Sequence, residues 1–290
     1  PALSAAVDST QQTITIALTQ EPPSLNATQS TDIVSFFVLG HVNEGLVRYD
    51  RRGRVVPAGA NDWVAEDNHI DFTLRDDARW SDGSEVTAAD YVYAWQLLLD
   101  PDTAAPYASI MLPIKNAAAI IRGDLPPTAL GVKALSTRQL RVQLERPCGY
   151  CISLMAHAAF YPIKQEFHEI QGIRYGAEAD TLLYNGPFTL SHWTHGAQLT
   201  LIRNPHYWDR ETISLTAINI DYITEDNRAR LNLFRDGSIA LAKLGAETVA
   251  DAVSQKMRLR TFATGGLSYL RINVDEGRLM AELKLRHAMS

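Results

Sequence analysis

The chain has 290 residues, enough for two domains at roughly 100–200 residues each. Hydrophobic residues make up 46% and charged residues 21%, which excludes disordered and collagen-like classes. A net charge of -6, from 27 Lys+Arg against 33 Asp+Glu, argues against a nucleic-acid partner, which calls for a basic face.

No Lys or Arg precedes Arg48, so the opening residues lack the cationic region of a secretory signal. Residues 1–8 read as the loose end of a mature chain. Residues 13–18 alternate polar and apolar, a strand signal, and Pro22 and Pro23 end it. Residues 31–45 read as a helix with Ile33, Phe36, Phe37 and Leu39 largely buried. Residues 70–74 alternate again, and Ser81-Asp82-Gly83 is a turn by composition. Thr87 and Asp90 have the spacing of a capping box. The helix they open carries Val92, Trp95, Leu98 and Leu99 on one stripe and stops at Pro101.

Leu140, Val142 and Leu144 mark a third strand, and residues 151–159 look helical. Residues 188–193 and 199–203 flank Thr194-His195-Gly196 as a hairpin. A strand follows at 218–223, a helix at 228–235, a short strand at 239–243, a helix at 246–255 and a strand at 267–274. An amphipathic helix begins at Leu279 with neither a cap nor a following strand, so the chain reads as a fragment. The longest apolar stretch, residues 152–163, is broken by Ser153 and His157 and is too short to span a bilayer.

Candidate chemistry is sparse. Cys148-Gly149-Tyr150-Cys151 is a CxxC, readable as a redox pair, half a zinc site, a local disulfide or two buried thiols. A zinc site needs two further ligands and no second cysteine pair exists, so a structural pair is favoured. His192 and His195 flank the hairpin turn and read as solvated. His157 sits in an apolar run, where a hydrogen-bonded core histidine is the default. Most of the five tryptophans read as core. The chain has no GxSxG, Walker A, GxGxxG or HExxH pattern, which lowers the prior for an enzyme.

The order of several segments is more specific. Glu21-Pro22-Pro23-Ser24-Leu25-Asn26 resembles the EPxxLDP opening of the extracytoplasmic solute-binding proteins of family 5. Glu44-Gly45-Leu46 resembles their EGL. The run from Phe72 through Arg79-Trp80-Ser81-Asp82-Gly83 to Thr87-Ala88-Ala89-Asp90 resembles their FxLRxxxKWSDGxPVTAxD block. Asn185-Gly186-Pro187-Phe188, Arg203-Asn204-Pro205-His206-Tyr207-Trp208-Asp209 and Lys284-Leu285-Arg286-His287-Ala288-Met289-Ser290 resemble NGPY, RNPxYWD and VRxALS. Asp102-Thr103-Ala104-Ala105-Pro106-Tyr107-Ala108-Ser109 is most similar to the oligopeptide- and murein-peptide-binding branch. Asn26 replaces the usual Asp, and Pro147-Cys148-Gly149-Tyr150-Cys151 departs from the usual PxPxF-type segment.

The resemblance implies an α/β fold of the type II periplasmic-binding-protein, Venus-flytrap kind, with mixed sheets and helices. It implies an extra α+β domain inserted in the N-terminal half and a second ligand lobe that is mostly missing here. The implied division is residues 1–45 with 185–265 as the first lobe, 46–184 as the added domain, and 266–290 as the start of the second lobe. The implied function is a receptor that captures peptides and delivers them to the membrane permease of an ABC importer, in the periplasm or membrane-anchored outside the cell. No enzyme activity, metal, cofactor or nucleic acid is expected, and a monomer is. Oxidising surroundings would let Cys148 and Cys151 pair. The rivals are a nickel, haem or sugar receptor of the same family and, in another class, a periplasmic peptidase. By matching positions, Thr31, Asp32 and Ile33 lie against the ligand, largely through backbone. Tyr107 faces the ligand, and His157 borders a side-chain pocket.

Overall fold

The structure, a computed structural model, describes residues 6–261. The chain divides into two compact units, Pro1–Thr248 and Val249–Ser290. The described part of the second holds the end of the helix Ala246–Ser254 and the segment up to residue 261.

The first unit is built on two main sheets and a short two-stranded ribbon. The five-stranded sheet has the order β1 (Val7–Asp8), β2 (Thr13–Leu18), β11 (Ala217–Ile223), β10 (Gln198–Arg203), β9 (Phe188–Thr194). Its β2–β11 pair is parallel and the other pairs are antiparallel. The four-stranded antiparallel sheet has the order β5 (Ala60–Ala65), β6 (His69–Leu74), β8 (Gln139–Gln143), β7 (Val132–Ser136). The ribbon pairs β3 (Val47–Tyr49) with β4 (Val55–Pro57).

Alternation decides which face of β6 and β8 is buried. Ile70, Phe72, Leu74, Leu140 and Val142 point to one side and are buried there. Two helices matter for the site: α1 (Ile33–Val42) and α2 (Ala88–Leu99). Asp90 of α2 reaches back to accept the Thr87 N–H at 2.8 Å, as the spacing predicts, and the Thr87 hydroxyl donates to the same carboxylate. Tyr91, Ala94, Trp95, Leu98 and Leu99 of α2 are buried, with Val92 only half-buried.

Motifs far apart in sequence meet where the chain passes at 43–46 and again at 184–187. Asn185 Oδ1 accepts from Asn43 Nδ2 and from the Glu44 N–H at 3.1 and 3.0 Å, and its Nδ2 donates to the Glu44 carbonyl at 2.9 Å. A Cβ on Gly186 would lie 2.7 Å from Asn43 N and Val42 C, so only glycine allows this approach. The buried Glu44 carboxylate accepts from Tyr207 Oη at 2.8 Å, Trp208 Nε1 at 2.7 Å and Arg48 Nη1 at 3.0 Å. Burial pushes its pKa up, with those donors and the Arg48 charge opposing. Arg48 also donates to Asp209 at 3.2 Å, and the Arg75 guanidinium stacks 3.4 Å from the Trp208 ring centroid.

Several expected elements differ. Val7–Asp8 is not loose but pairs with Thr13 and Ile14. That strand takes part of the β2 edge, so residues 239–243 make a single bond there, from Ala240 N–H to the Thr15 carbonyl, and form no strand. The helix expected over 151–159 is one turn, Cys151–Leu154, followed by a 3-10 turn, Ala158–Phe160. The expected strand at 267–274, the helix from Leu279, the Lys284–Ser290 block, the domain start at 266–290 and residues 1–5 lie outside the described residues.

Candidate functional site

The site forms where the start of α1 meets two loops. Asp32 caps α1: its Oδ1 accepts from the Val34 and Ser35 N–H groups at 3.1 and 2.8 Å, and Oδ2 from Ser35 Oγ at 2.6 Å. The carboxylate is therefore committed to the helix, and Asp32 itself is extended, with φ -99° and ψ 152°. Thr31 is exposed, and among the described residues neither its N–H nor its carbonyl has a partner. Asn26 holds this approach in place: its Oδ1 accepts from the Thr28 N–H and hydroxyl at 3.0 and 2.7 Å. An amide oxygen does that work as well as a carboxylate, so the departure from Asp leaves the turn intact.

Gln29 Nε2 donates to the Thr103 carbonyl at 2.6 Å and draws in the loop that carries Tyr107. Tyr107 opens the 3-10 turn Ala108–Met111. His157 opens the turn Ala158–Phe160, its Nδ1 accepting the Ala159 N–H at 3.1 Å. The disulfide between Cys148 and Cys151 closes the turn just before the helix leading to His157. Of the readings open for the CxxC, this is the structural pair.

Phe36, on the first turn of α1, joins these parts. Its ring centroid lies 5.8 Å from that of Tyr107 and 5.1 Å from that of His157, while Tyr107 and His157 are 5.2 Å apart. All three rings are half-buried. Burial lowers the His157 pKa, and because Nδ1 accepts a backbone N–H, the neutral ring carries its proton on Nε2. Among the described residues neither His157 Nε2 nor Tyr107 Oη has a hydrogen-bond partner. The five expected site residues thus share one neighbourhood.

The expectation of a buried Ile33 and Phe37 fails: they are 80% and 41% exposed. The buried stripe of α1 is Val34, Ser35, Val38, Leu39 and Val42 instead. The helix is apolar on both sides: on the second stripe Phe36 meets Tyr107 and His157, while Ile33 is exposed and Phe37 lies against His41. That double stripe was the signal for Phe36, which the sequence reading assigned to the core.

The hairpin histidines also differ from expectation. His195 is not simply solvated: its Nδ1 pairs with Glu21 Oε1 at 2.6 Å and its Nε2 lies 3.4 Å from Glu178 Oε1. Glu21 accepts as well from Trp193 Nε1 at 2.8 Å and the Gly196 N–H at 2.7 Å. His192 Nε2 faces Thr194 Oγ1.

A mixed five-stranded sheet drawn from residues 7–18 and 188–223, an antiparallel four-stranded sheet and the helices that accompany them define the α/β class of type II periplasmic binding proteins. The chain belongs to the bacterial extracellular solute-binding proteins of family 5, whose model, described as "family 5 Middle", matches residues 54–290. It is 35% identical over 212 residues to the periplasmic murein peptide-binding protein MppA of Escherichia coli K12, covering 72% of this chain and 39% of the relative. It is 38% identical over 201 residues to the periplasmic oligopeptide-binding protein OppA of Salmonella typhimurium, covering 68% and 36%. Among solved structures, Listeria monocytogenes OppA bound to peptide superposes with a TM-score of 0.82 at 34% identity, covering 86% of this chain and 49% of that one. The substrate-binding domain of an oligopeptide ABC transporter from Bacillus anthracis gives 0.82 at 40% identity, covering 85% and 48%. The chain therefore spans half or less of the length of the proteins it matches.

Proposed function

We propose that this chain supplies one wall of a receptor that captures peptides outside the cytoplasm and delivers them to the permease of an ABC importer. The observation that carries the reading is that Phe36 brings Tyr107 and His157 against the helix start to which Thr31, Asp32 and Ile33 lead. Extended backbone at Asp32 and the unpaired Thr31 amide and carbonyl suit strand-like pairing with a ligand main chain, the part all peptides share. Relatives named as murein-peptide- and oligopeptide-binding proteins, and a peptide-bound neighbour, support the same ligand class.

The reading makes the chain a binder and not a peptidase: Asp32 is spent on its helix and His157 Nδ1 on a backbone N–H, which leaves no base-and-nucleophile pair at the wall. It places the protein in an oxidising compartment, in keeping with the Cys148–Cys151 disulfide. Among the described residues no helix is long and apolar enough to cross a membrane. The reading takes the protein as a monomer that binds no nucleic acid. Residues 1–45 with 185–265 are assigned to one lobe and 46–184 to the added domain. That assignment rests on the five-stranded sheet, drawn from both ends of the first unit, and on the four-stranded sheet, which lies wholly between 60 and 143.

The test is incubation of the gene product with a mixed peptide pool, followed by size exclusion and mass spectrometry. The reading expects intact peptides in the protein fraction. Cleavage products would establish the peptidase instead, and a pool recovered free and intact would remove the peptide reading.

A further inference from the structure

The wall has a chemical character of its own. Phe36, Tyr107 and His157 present three rings within 5.8 Å of one another, and no charged side chain belongs to the group. The nearest acid on α1, Asp32, already accepts three hydrogen bonds from its own helix. His157 has its Nδ1 occupied by the Ala159 N–H, so it meets a guest as a neutral ring with one N–H to donate. Ile33, three residues before Phe36 along the helix and exposed, extends the apolar surface outward.

We propose that this aromatic wall selects an uncharged aromatic or branched aliphatic side chain of the bound peptide, while His157 Nε2–H and Tyr107 Oη hold an adjacent ligand carbonyl. The proposal rests on the peptide-receptor reading and adds to it the kind of residue preferred. A phenyl or leucyl group gains ring-edge and ring-face contacts and loses little water. A Lys or Glu side chain at the same place gives up hydration, and the three rings offer it no opposite charge. The two free polar atoms lie on the edges of rings whose bodies are apolar, so a ligand carbonyl beside an apolar side chain satisfies both halves of the surface together.

The experiment uses the gene product that carries this chain and the tripeptides Xaa-Ala-Ala, Ala-Xaa-Ala and Ala-Ala-Xaa, with Xaa as Phe, Leu, Lys or Glu, in competition binding. The expected result is that at one position Phe and Leu bind about tenfold or more tighter than Lys and Glu. Phe36→Ser narrows that gap at the same position, with circular dichroism and melting temperature confirming that the variant is folded. Phe36→Leu keeps the preference for Leu. Equal or stronger binding of the charged peptides at every position overturns the proposal, as does an unchanged gap in folded Phe36→Ser. Should Phe36→Ser not fold, the position scan on the unaltered protein still decides. Failure of every peptide to bind removes the receptor reading itself and this proposal with it, which is a different result from binding without preference.

Discussion

The ring of Phe36 meets the imidazole of His157 edge-on, with centroids 5.1 Å apart and planes at 67°. That contact ties the first turn of α1 to a loop more than a hundred residues later, and the ring of Tyr107 completes the group. Thr31, Asp32 and Ile33 precede Phe36 at the start of the same helix.

Tyr107 and His157 are expected to respond differently to truncation. On the proposed role, Tyr107→Ala removes a ring and a hydroxyl from the peptide wall and costs about 1–3 kcal/mol of peptide binding. His157→Ala also loses the Nε2–H offered to the ligand carbonyl and so lowers affinity across the panel, and in addition it changes which peptides are preferred, because water refills the space beside the bound side chain. Calorimetry with a peptide panel, alongside melting curves without ligand, checks both. A lower melting temperature with an unaltered binding profile would assign both rings to packing.

Glu44 is expected to matter for stability. Its carboxylate satisfies the buried donors of Tyr207 and Trp208 and faces Arg48. Glu44→Ala strands those groups and should cost about 3–5 kcal/mol in denaturant unfolding. A loss below about 1 kcal/mol would mean that the network is solvated and contributes as little as a surface pair.

The Glu21–His195 contact predicts a pH window. Burial raises the Glu21 pKa, but hydrogen bonds from His195, Trp193 and Gly196 outweigh it and hold the value below the ordinary 4.5. The Glu21 hydrogen bond, with the charges of Glu21 and Glu178, raises His195 above the ordinary 6.5. The Glu21 contribution is present above about 4.5 and fades as pH falls through its lowered value. The His195 contribution is full below 6.5 and fades as pH rises through its raised value. The melting-temperature difference between the unaltered protein and His195→Gln should therefore peak in mildly acidic buffer and shrink toward alkaline pH. A difference that grows with pH would contradict the assigned pairing.

Gly176 packs its Cα against the Leu25–Asn26 backbone, where a Cβ would lie 2.5 Å from Asn26 N, at φ +75°. Gly176→Ala is expected to cost about 1–3 kcal/mol from backbone strain alone, read by chemical denaturation. A neutral substitution would mean that the loop relaxes freely.

The elements legible in the sequence were those where one period dominates. The alternation of Leu140 and Val142 and the Thr87–Asp90 spacing each map directly onto the fold. Helix α1 was legible as a helix but not in its orientation, because two apolar stripes compete and only tertiary packing chooses between them. An apolar residue facing a ligand reads in sequence like an apolar residue facing the core, so Phe36 was invisible as a site residue. Thr31, Asp32, Ile33, Tyr107 and His157 were reached by family resemblance and not by composition, since none has a spacing that announces chemistry. His195 could not be assigned, because its main partner Glu21 is 174 residues away in sequence.

The peptide-receptor account is tested most directly by native mass spectrometry of the gene product purified without denaturation. The account predicts a bound population whose added masses are peptides, released on unfolding and sequenced as such. Added masses belonging to haem, a metal chelate or a sugar would contradict it.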